Sequence, residues 1–256
     1  MRTPFATGAL AALALSIAAM PAPPARAGDL ATYERVGFSP DGALFAFMQS
    51  GVTDGAGAPY VDAFAIEVAN DSWVAGTPVR LGRGEPGDLS QTQIRARTEG
   101  LRAEARSLLE DATGRADWRP GALLALSPPT DLDRDGTRMT VNPRALPAVI
   151  GDGALTALLE TIPFPDGTND CPAGMGELVG YRLTLEDGDD AVTLNEDTRL
   201  PSSRGCPIGY RIAGIETHHA PDGTRSVAVL LNVLTIGFEG PDVRWMAVTQ
   251  QGPLGN

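Results

Sequence analysis

The chain has 256 residues and a formal net charge of −12, and all 20 residues counted as Lys or Arg are arginine. Such an acidic protein repels phosphate backbones, so we expect no nucleic-acid partner. A hydrophobic content of 43% excludes a disordered chain, and 30 glycines and 21 prolines without a collagen-like period predict many turns and few long helices. The absence of lysine excludes Schiff-base chemistry and the lysine of a phosphate-binding loop.

Residues 1–27 have the pattern of a secretory signal peptide. Arg2 supplies the positive start, residues 5–20 are apolar and uncharged, and Ala25-Arg26-Ala27 has the form of a cleavage site. An uncleaved membrane anchor is the alternative, but the apolar run is short for a membrane span. We expect cleavage after residue 27 and a single β-rich domain over residues 28–256. It would be periplasmic or secreted, with no membrane span after cleavage.

Cys171 and Cys206 are the only cysteines, and each is followed by a proline. In an oxidising compartment, two lone cysteines in turn-like contexts are expected to pair. The alternative is a reactive thiol, but the spacing is far from C-x-x-C. The sequence therefore predicts a structural disulfide.

Short apolar runs separated by Gly, Pro and Asp predict a mainly β fold of antiparallel sheets, either propeller-like or sandwich-like. Tyr60, Phe64 and Ile66 illustrate the period of two that places alternate residues on one face. The predicted strands are Leu44–Gln49, Tyr60–Val68, Thr77–Leu81, Ala122–Ser127, Arg138–Val141, Leu155–Ile162, Gly180–Glu186, Ala191–Leu194, Tyr210–Glu216, Ser226–Asn232 and Val243–Thr249.

One segment, at about residues 90–113, has the helical period instead. Its N-terminus carries the capping-box pattern Ser90-x-x-Gln93, and Gly114 lies where a helix would end. The apolar face expected to pack on a sheet comprises Ile94, Leu101, Ala105, Leu108 and Ala112.

The two ends of the exported part contain similar turns. Ser39-Pro40-Asp41-Gly42 and Ala220-Pro221-Asp222-Gly223 each precede an apolar run, a Gly-rich turn and a second strand. Proline and glycine preset the backbone of such turns. We expect the two ends to come together in one sheet system.

The segment from Phe38 to Phe47, FSPDGALFAF, and the following strand Ala63–Val68 resemble the opening hairpin of WD40-like blades in the periplasmic propeller protein of the Tol-Pal system. The resemblance covers about 35 residues here and about 30 more at the C-terminus. It implies a propeller-type interaction module.

A second resemblance covers most of the exported part. Its segments include GFSPDGALFAF, GVTDGAGAPYVDAFAIEV, NDCPAGMGELVGYRLTL and APDGTRSVAVLLNVLTIGFEGPDVRWMAVT. They are similar to a family of predicted secreted bacterial proteins. That resemblance implies export and an envelope location and assigns no catalytic residue.

Asp131, Asp133 and Asp135 with Gly136 match the first half of a calcium loop, D-x-D-x-D-G. The twelfth position, however, is Asn142 rather than a bidentate glutamate. The sequence thus offers calcium as a candidate ligand at these three aspartates, with a solvated turn as the alternative.

Other catalytic groups are scarce. His218 and His219 are adjacent and would point to opposite faces of a strand, which favours a surface pair over a metal site. No nucleophile elbow, phosphate loop or dinucleotide fingerprint is present, so we expect neither a catalytic residue nor an organic cofactor. The leading prediction is a non-enzymatic binding module whose partner is an envelope protein or polymer. The alternatives are a carboxylate- or calcium-dependent hydrolase and a structural envelope protein.

Overall fold

The computed structural model describes residues 28–84, 89–131, 133–142, 154–168, 171–172, 174, 176–238 and 240–252. The predicted signal peptide, residues 1–27, lies outside the described residues. Thirteen strands and one α-helix are found within the described ranges. The strands are β1 (Thr32–Phe38), β2 (Leu44–Val52), β3 (Pro59–Glu67), β4 (Ser72–Trp73), β5 (Val79–Gly82), β6 (Ala122–Leu126), β7 (Arg138–Val141), β8 (Leu155–Phe164), β9 (Leu178–Asp187), β10 (Asp190–Glu196), β11 (Pro207–His219), β12 (Arg225–Ile236) and β13 (Pro241–Gln251), and the helix α1 is Gln91–Thr113.

The strands form three antiparallel sheets. The N-terminal sheet has the order β1-β2-β3-β4, with β5 also paired to β3. The central sheet has the order β13-β12-β11-β6, and the outer sheet has the order β10-β9-β8-β7. All eleven predicted strands are present, so the mainly β prediction is confirmed. Of the two predicted forms the sandwich-like one is found, since the described strands do not form a closed propeller.

The central sheet lies between the other two sheets. In β12, Val227, Val229 and Leu231 belong to the core shared with the outer sheet, whereas Ala228 and Leu230 belong to the core shared with the N-terminal sheet. Because both faces of β12 are covered, its sequence is a continuous apolar run rather than an alternation.

Helix α1 covers the other face of the N-terminal sheet. It begins after Ser90, which forms the predicted capping box with Gln93, and it ends at Gly114 in the left-handed conformation with φ 62°. Its fully buried residues are Ala105 and Leu109.

The predicted packing face of α1 was wrong at one position. Leu108 is 39% exposed, and its neighbour Leu109 is the buried leucine. Positions 101, 105 and 109 are four residues apart and so lie nearly above one another, and this row packs against Ala63 and Ala65 of β3.

The two similar turns come together, the first in the N-terminal sheet and the second in the central sheet. The turn at residues 39–42 joins β1 to β2, and the turn at 220–223 joins β11 to β12. The first turn touches the central sheet, where Ser226 Oγ donates to the Gly42 carbonyl at 2.8 Å. Just ahead of β1, Leu30 forms a parallel bridge with Val243 of β13. The first described residues are therefore fixed to the last strand.

Candidate functional site

A cleft of about 660 Å³ opens between the N-terminal and central sheets, and the outer sheet contributes to one of its walls. Phe47, Phe64 and Trp245 supply aromatic surface, and the rings of Phe47 and Phe64 stack at 4.6 Å. Trp73 also lines the cleft and is 47% exposed, which places it at the mouth. An apolar lining with a few fixed polar groups is typical of small-ligand sites.

Asp62 of β3 lies on the aromatic face of its strand, between Tyr60 and Phe64, and is only 1% exposed. One carboxylate oxygen, Oδ2, accepts hydrogen bonds from Gln49 at 3.0 Å and from Arg83 at 2.7 Å. The other oxygen, Oδ1, is buried and has no hydrogen-bond partner in the described part of the chain. Burial raises the pKa of Asp62 above its ordinary value, although Arg83 opposes the rise.

Asp29, just before β1, is the second buried carboxylate of the cleft. Its side chain accepts hydrogen bonds from Arg244 at 2.6 Å and from the Tyr60 hydroxyl at 3.1 Å. Burial raises the pKa of Asp29, and the nearby Arg244 guanidinium lowers it in part. This contact also requires Gly51, where a Cβ would lie 2.5 Å from the Tyr60 hydroxyl oxygen.

Two guanidinium groups contact the Tyr60 ring and so join the two carboxylates. The Arg83 and Arg244 guanidinium carbons lie 4.9 Å and 4.8 Å from the ring centroid. Burial, the largest influence, raises the pKa of Tyr60 well above its ordinary value. Tyr60 is therefore a neutral hydrogen-bond donor at physiological pH.

The wall next to the outer sheet is built around Arg204. Its guanidinium donates to Asp197 at 2.5 Å and lies 4.6 Å from the centroid of the Tyr181 ring. Arg204 ends a short 3-10 turn, Ser202–Arg204, two residues before Cys206. The predicted disulfide is confirmed between Cys171 and Cys206, with the Cα atoms 5.8 Å apart. The crosslink thus supports the segment that forms this wall.

Trp73 is held at the mouth by the turn that precedes it. Asp71 adopts a positive φ of 47°, and its Oδ1 accepts from the Thr249 amide at 2.8 Å and from the Thr249 hydroxyl at 3.0 Å. These bonds tie the turn before β4 to β13. The exposed tryptophan is therefore presented by a fixed backbone.

The aspartates predicted as calcium ligands lie outside the cleft lining. Asp131 accepts from the Ser127 hydroxyl at 2.7 Å, and Asp135 accepts from the Thr137 amide at 2.8 Å. These hydrogen bonds hold the pKa of both carboxyls below its ordinary value. Among the described residues, no group of three or more His, Cys, Asp or Glu side chains is arranged to hold a metal ion. Calcium binding by Asp131, Asp133 and Asp135 stays a prediction.

Gly136 closes that loop against the central sheet. It has a φ of 72°, and a Cβ there would lie 2.6 Å from the Cβ of Arg211. Its carbonyl accepts from the Ile212 amide at 2.7 Å. The glycine of the calcium-like pattern therefore has a packing role.

The histidines make structural contacts. The His218 ring stacks on Phe38 at 5.5 Å, and its Nε2 lies 3.1 Å from the Pro40 carbonyl oxygen. On the same strand, Glu216 accepts from the Tyr33 hydroxyl at 2.7 Å and pairs with Arg35 at 3.0 Å.

Of the cleft residues, one carries a signal in the sequence that points to a buried polar site. Asp62 interrupts the apolar face of a strand whose other members are Tyr60, Phe64 and Ile66, and Gln49 of β2 is its cross-strand partner. A charge on a buried face needs partners. The arginine that pairs with Asp62 is Arg83, which lies 21 residues further along the chain and carries no local signal.

Residues 46–251 match the model of a protein family described as "Predicted secreted protein (DUF2259)". The chain belongs to this family. The match spans β2 to β13 and so includes Asp62, Arg83 and Arg244, while Asp29 precedes it. The family's description confirms the predicted export and specifies no activity.

The searches of curated proteins and of solved structures found no match. In the described ranges, no helix combines the length and the apolar character needed to cross a membrane.

Proposed function

We propose that this exported protein is a non-enzymatic binding module that holds a component of the cell envelope in the cleft between its N-terminal and central sheets. The observation that carries the proposal is the cleft itself, about 660 Å³ in volume. This value lies within the usual range for ligand sites, roughly 300–1,000 Å³. A purely structural envelope protein has no need of such a cavity.

The polar groups of the cleft are fixed in place, which favours binding over catalysis. Asp29 and Asp62 are each held by an arginine and by a neutral hydrogen-bond donor. Side chains that are already fixed lose little further entropy when a ligand binds. The likeness of the terminal hairpins to WD40-like blades supports an interaction role by analogy only.

The proposal is tested by a thermal-shift screen of the exported protein against neutral oligosaccharides, short peptides, amino acids and nucleotides. The cleft variant is Trp73→Ala, and the matched control is Leu108→Ala, which removes another exposed apolar side chain outside the cleft. We expect at least one class to raise the Tm of the wild type and of Leu108→Ala and to lose this effect in Trp73→Ala. No shift with any class, or equal shifts in both variants, contradicts the proposal.

A carboxylate-dependent hydrolase is the second candidate, because two buried carboxylates with raised pKa line one cleft. Such groups serve as general acids in hydrolases. If this candidate is correct, the protein cleaves chromogenic glycosides or esters, and Asp62→Asn abolishes the cleavage while Asp190→Asn at the exposed start of β10 does not. If neither the glycosides nor the esters are cleaved, the hydrolase candidate is contradicted and the proposed binding role is unaffected.

A further inference from the structure

We infer that the cleft recognises an uncharged, hydroxyl-rich ligand of the saccharide class, with a ligand hydroxyl donating to Asp62 Oδ1. This inference rests on the proposed function and specifies the chemistry of the same site. It is carried by an unpartnered acceptor, by the balance of charge around it and by the aromatic surfaces beside it.

The unpartnered acceptor indicates which group the ligand must bring. Asp62 is 1% exposed, and Gln49 and Arg83 both donate to Oδ2, so that Oδ1 has no donor among the described residues. A buried acceptor without a donor has an uncompensated desolvation cost, and a ligand that supplies a donor removes this cost. An O–H or N–H group directed at Oδ1 is therefore required.

Charge around Asp62 disfavours a cationic donor. Arg83 already neutralises the carboxylate, and Arg80 lies directly across from Asp62 in the β3–β5 register. Arg244 also acts on Asp62 through its charge. A ligand ammonium would meet these three guanidinium groups around a carboxylate whose charge is already compensated.

An anionic ligand is disfavoured as well. Asp29, Asp54, Asp71 and Asp242 line the same cleft, and the whole chain carries a net charge of −12. The field of such a protein lowers the local concentration of anions. A neutral donor, such as a hydroxyl group, suits the site best.

The aromatic lining of the cleft matches the apolar faces of a sugar ring. Saccharides present apolar C–H faces as well as hydroxyl edges, and aromatic side chains offer flat surfaces for such faces. Trp73 at the mouth, which is 47% exposed, supplies such a surface, and the largely buried Phe64 and Trp245 line the cleft beside it. Arg80 and Arg83 line the same cleft, and their guanidinium groups are donors of the kind that ring and hydroxyl oxygens accept from.

The inference is tested by isothermal titration calorimetry of the exported protein with trisaccharides that differ in charge. The neutral probes are maltotriose and triacetylchitotriose. The cationic probe is the deacetylated form of the latter, and the anionic probe is a uronic-acid trimer. We expect a neutral trimer to bind at least tenfold more tightly than both charged trimers.

Two variants test whether Asp62 and Arg80 determine this selectivity for a neutral ligand. Asp62→Asn places an amide N–H₂ where a donor-bearing ligand needs an acceptor, so the neutral trimer should lose at least tenfold in affinity, while Asp190→Asn leaves it unchanged. Arg80→Gln removes an exposed charge and is expected to fold regardless of the outcome at Asp62. It should improve binding of the cationic trimer relative to the neutral one.

The outcomes separate the two proposals. Tightest binding of a charged trimer, or an unchanged preference in Arg80→Gln, overturns the inference and leaves the binding role intact. The same holds if no trimer binds but a peptide, amino acid or nucleotide does. If no ligand of any class binds, both proposals fail.

Discussion

Arg244 of β13 contacts both the segment before β1 and strand β3 in the cleft wall. It pairs with the Asp29 carboxylate, donates to the Asp29 carbonyl at 3.1 Å and contacts the Tyr60 ring. Its removal leaves a buried carboxylate without its counter-ion, which is a strongly destabilising change. Arg244→Ala is therefore expected to lower the free energy of unfolding by about 3 kcal/mol in urea denaturation.

Arg182 provides the matched control for Arg244. It also forms two ion pairs, with Glu160 at 3.0 Å and Glu196 at 2.5 Å, but on an exposed surface. Water and salt screen such pairs, so Arg182→Ala should cost only a small part of the Arg244→Ala loss. Equal losses in the two variants would show that Asp29 is not a buried charge that depends on Arg244.

Asp62 is expected to make stability depend on pH in a direction opposite to most carboxylates. Because burial raises its pKa, the folded protein retains this proton at a pH where the unfolded chain has lost it. The contribution of Asp62 to stability therefore becomes more favourable as the pH falls toward its folded-state pKa. Each unit of elevation corresponds to about 1.4 kcal/mol.

Asparagine at position 62 cannot titrate and serves as the reference. The free energy of unfolding of the wild type, relative to Asp62→Asn, should increase as the pH is lowered from about 7 to about 4. Denaturation curves of both proteins across this range measure the difference. A decrease would mean that the ion pair with Arg83 outweighs the effect of burial.

At the scale of elements, α1 shows what the sequence can and cannot predict. The capping box at Ser90 and the end at Gly114 depend on neighbouring residues, and both were predicted correctly. The choice of Leu109 over Leu108 as the buried residue depends on where the helix meets β3 and β5. That contact is set by distant parts of the chain.

The two leucines test the orientation of α1 directly. Leu109 is fully buried, and Leu109→Ala should lower the free energy of unfolding by about 2–5 kcal/mol through lost burial and a cavity. Leu108→Ala makes the same chemical change at an exposed position and should cost less than about 1 kcal/mol. If chemical denaturation shows a larger loss for Leu108→Ala than for Leu109→Ala, the helix packs on the sheet through Leu108 instead.

Strand β1 was not predicted, and its residues explain why. Glu34 and Arg35 interrupt the apolar pattern, and Gly37 lies next to a register shift with a φ of 113°. The charges are balanced from elsewhere, since Glu34 pairs with Arg102 of α1 and Arg35 pairs with Glu216 of β11. Such long-range partners leave no local sequence signal.

For the whole molecule, strand positions could be predicted but the stacking of sheets could not. Period-two patterns show which residues share a face, and they do not show which sheet covers that face. The cleft arises from that stacking, because its lining comes from all three sheets. Hence the eleven predicted strands were found while the candidate site was not.

The disulfide links the chain across the outer part of the fold, and its removal should affect global stability. A bridge over a sequence separation of 35 contributes about 4 kcal/mol in the chain-entropy model. The double variant Cys171→Ser with Cys206→Ser should lose about this amount in chemical denaturation. An unchanged midpoint would show that the loop is constrained without the bond.

The central claim, that the cleft between the N-terminal and central sheets binds a ligand, is tested most directly by a crystal structure. Crystals would be grown from the exported protein in the presence of the neutral trisaccharides. The account predicts a sugar ring between the aromatic side chains of the cleft, with a hydroxyl group within hydrogen-bond distance of Asp62 Oδ1. A sugar bound elsewhere on the protein, with the cleft filled only by water, would contradict it.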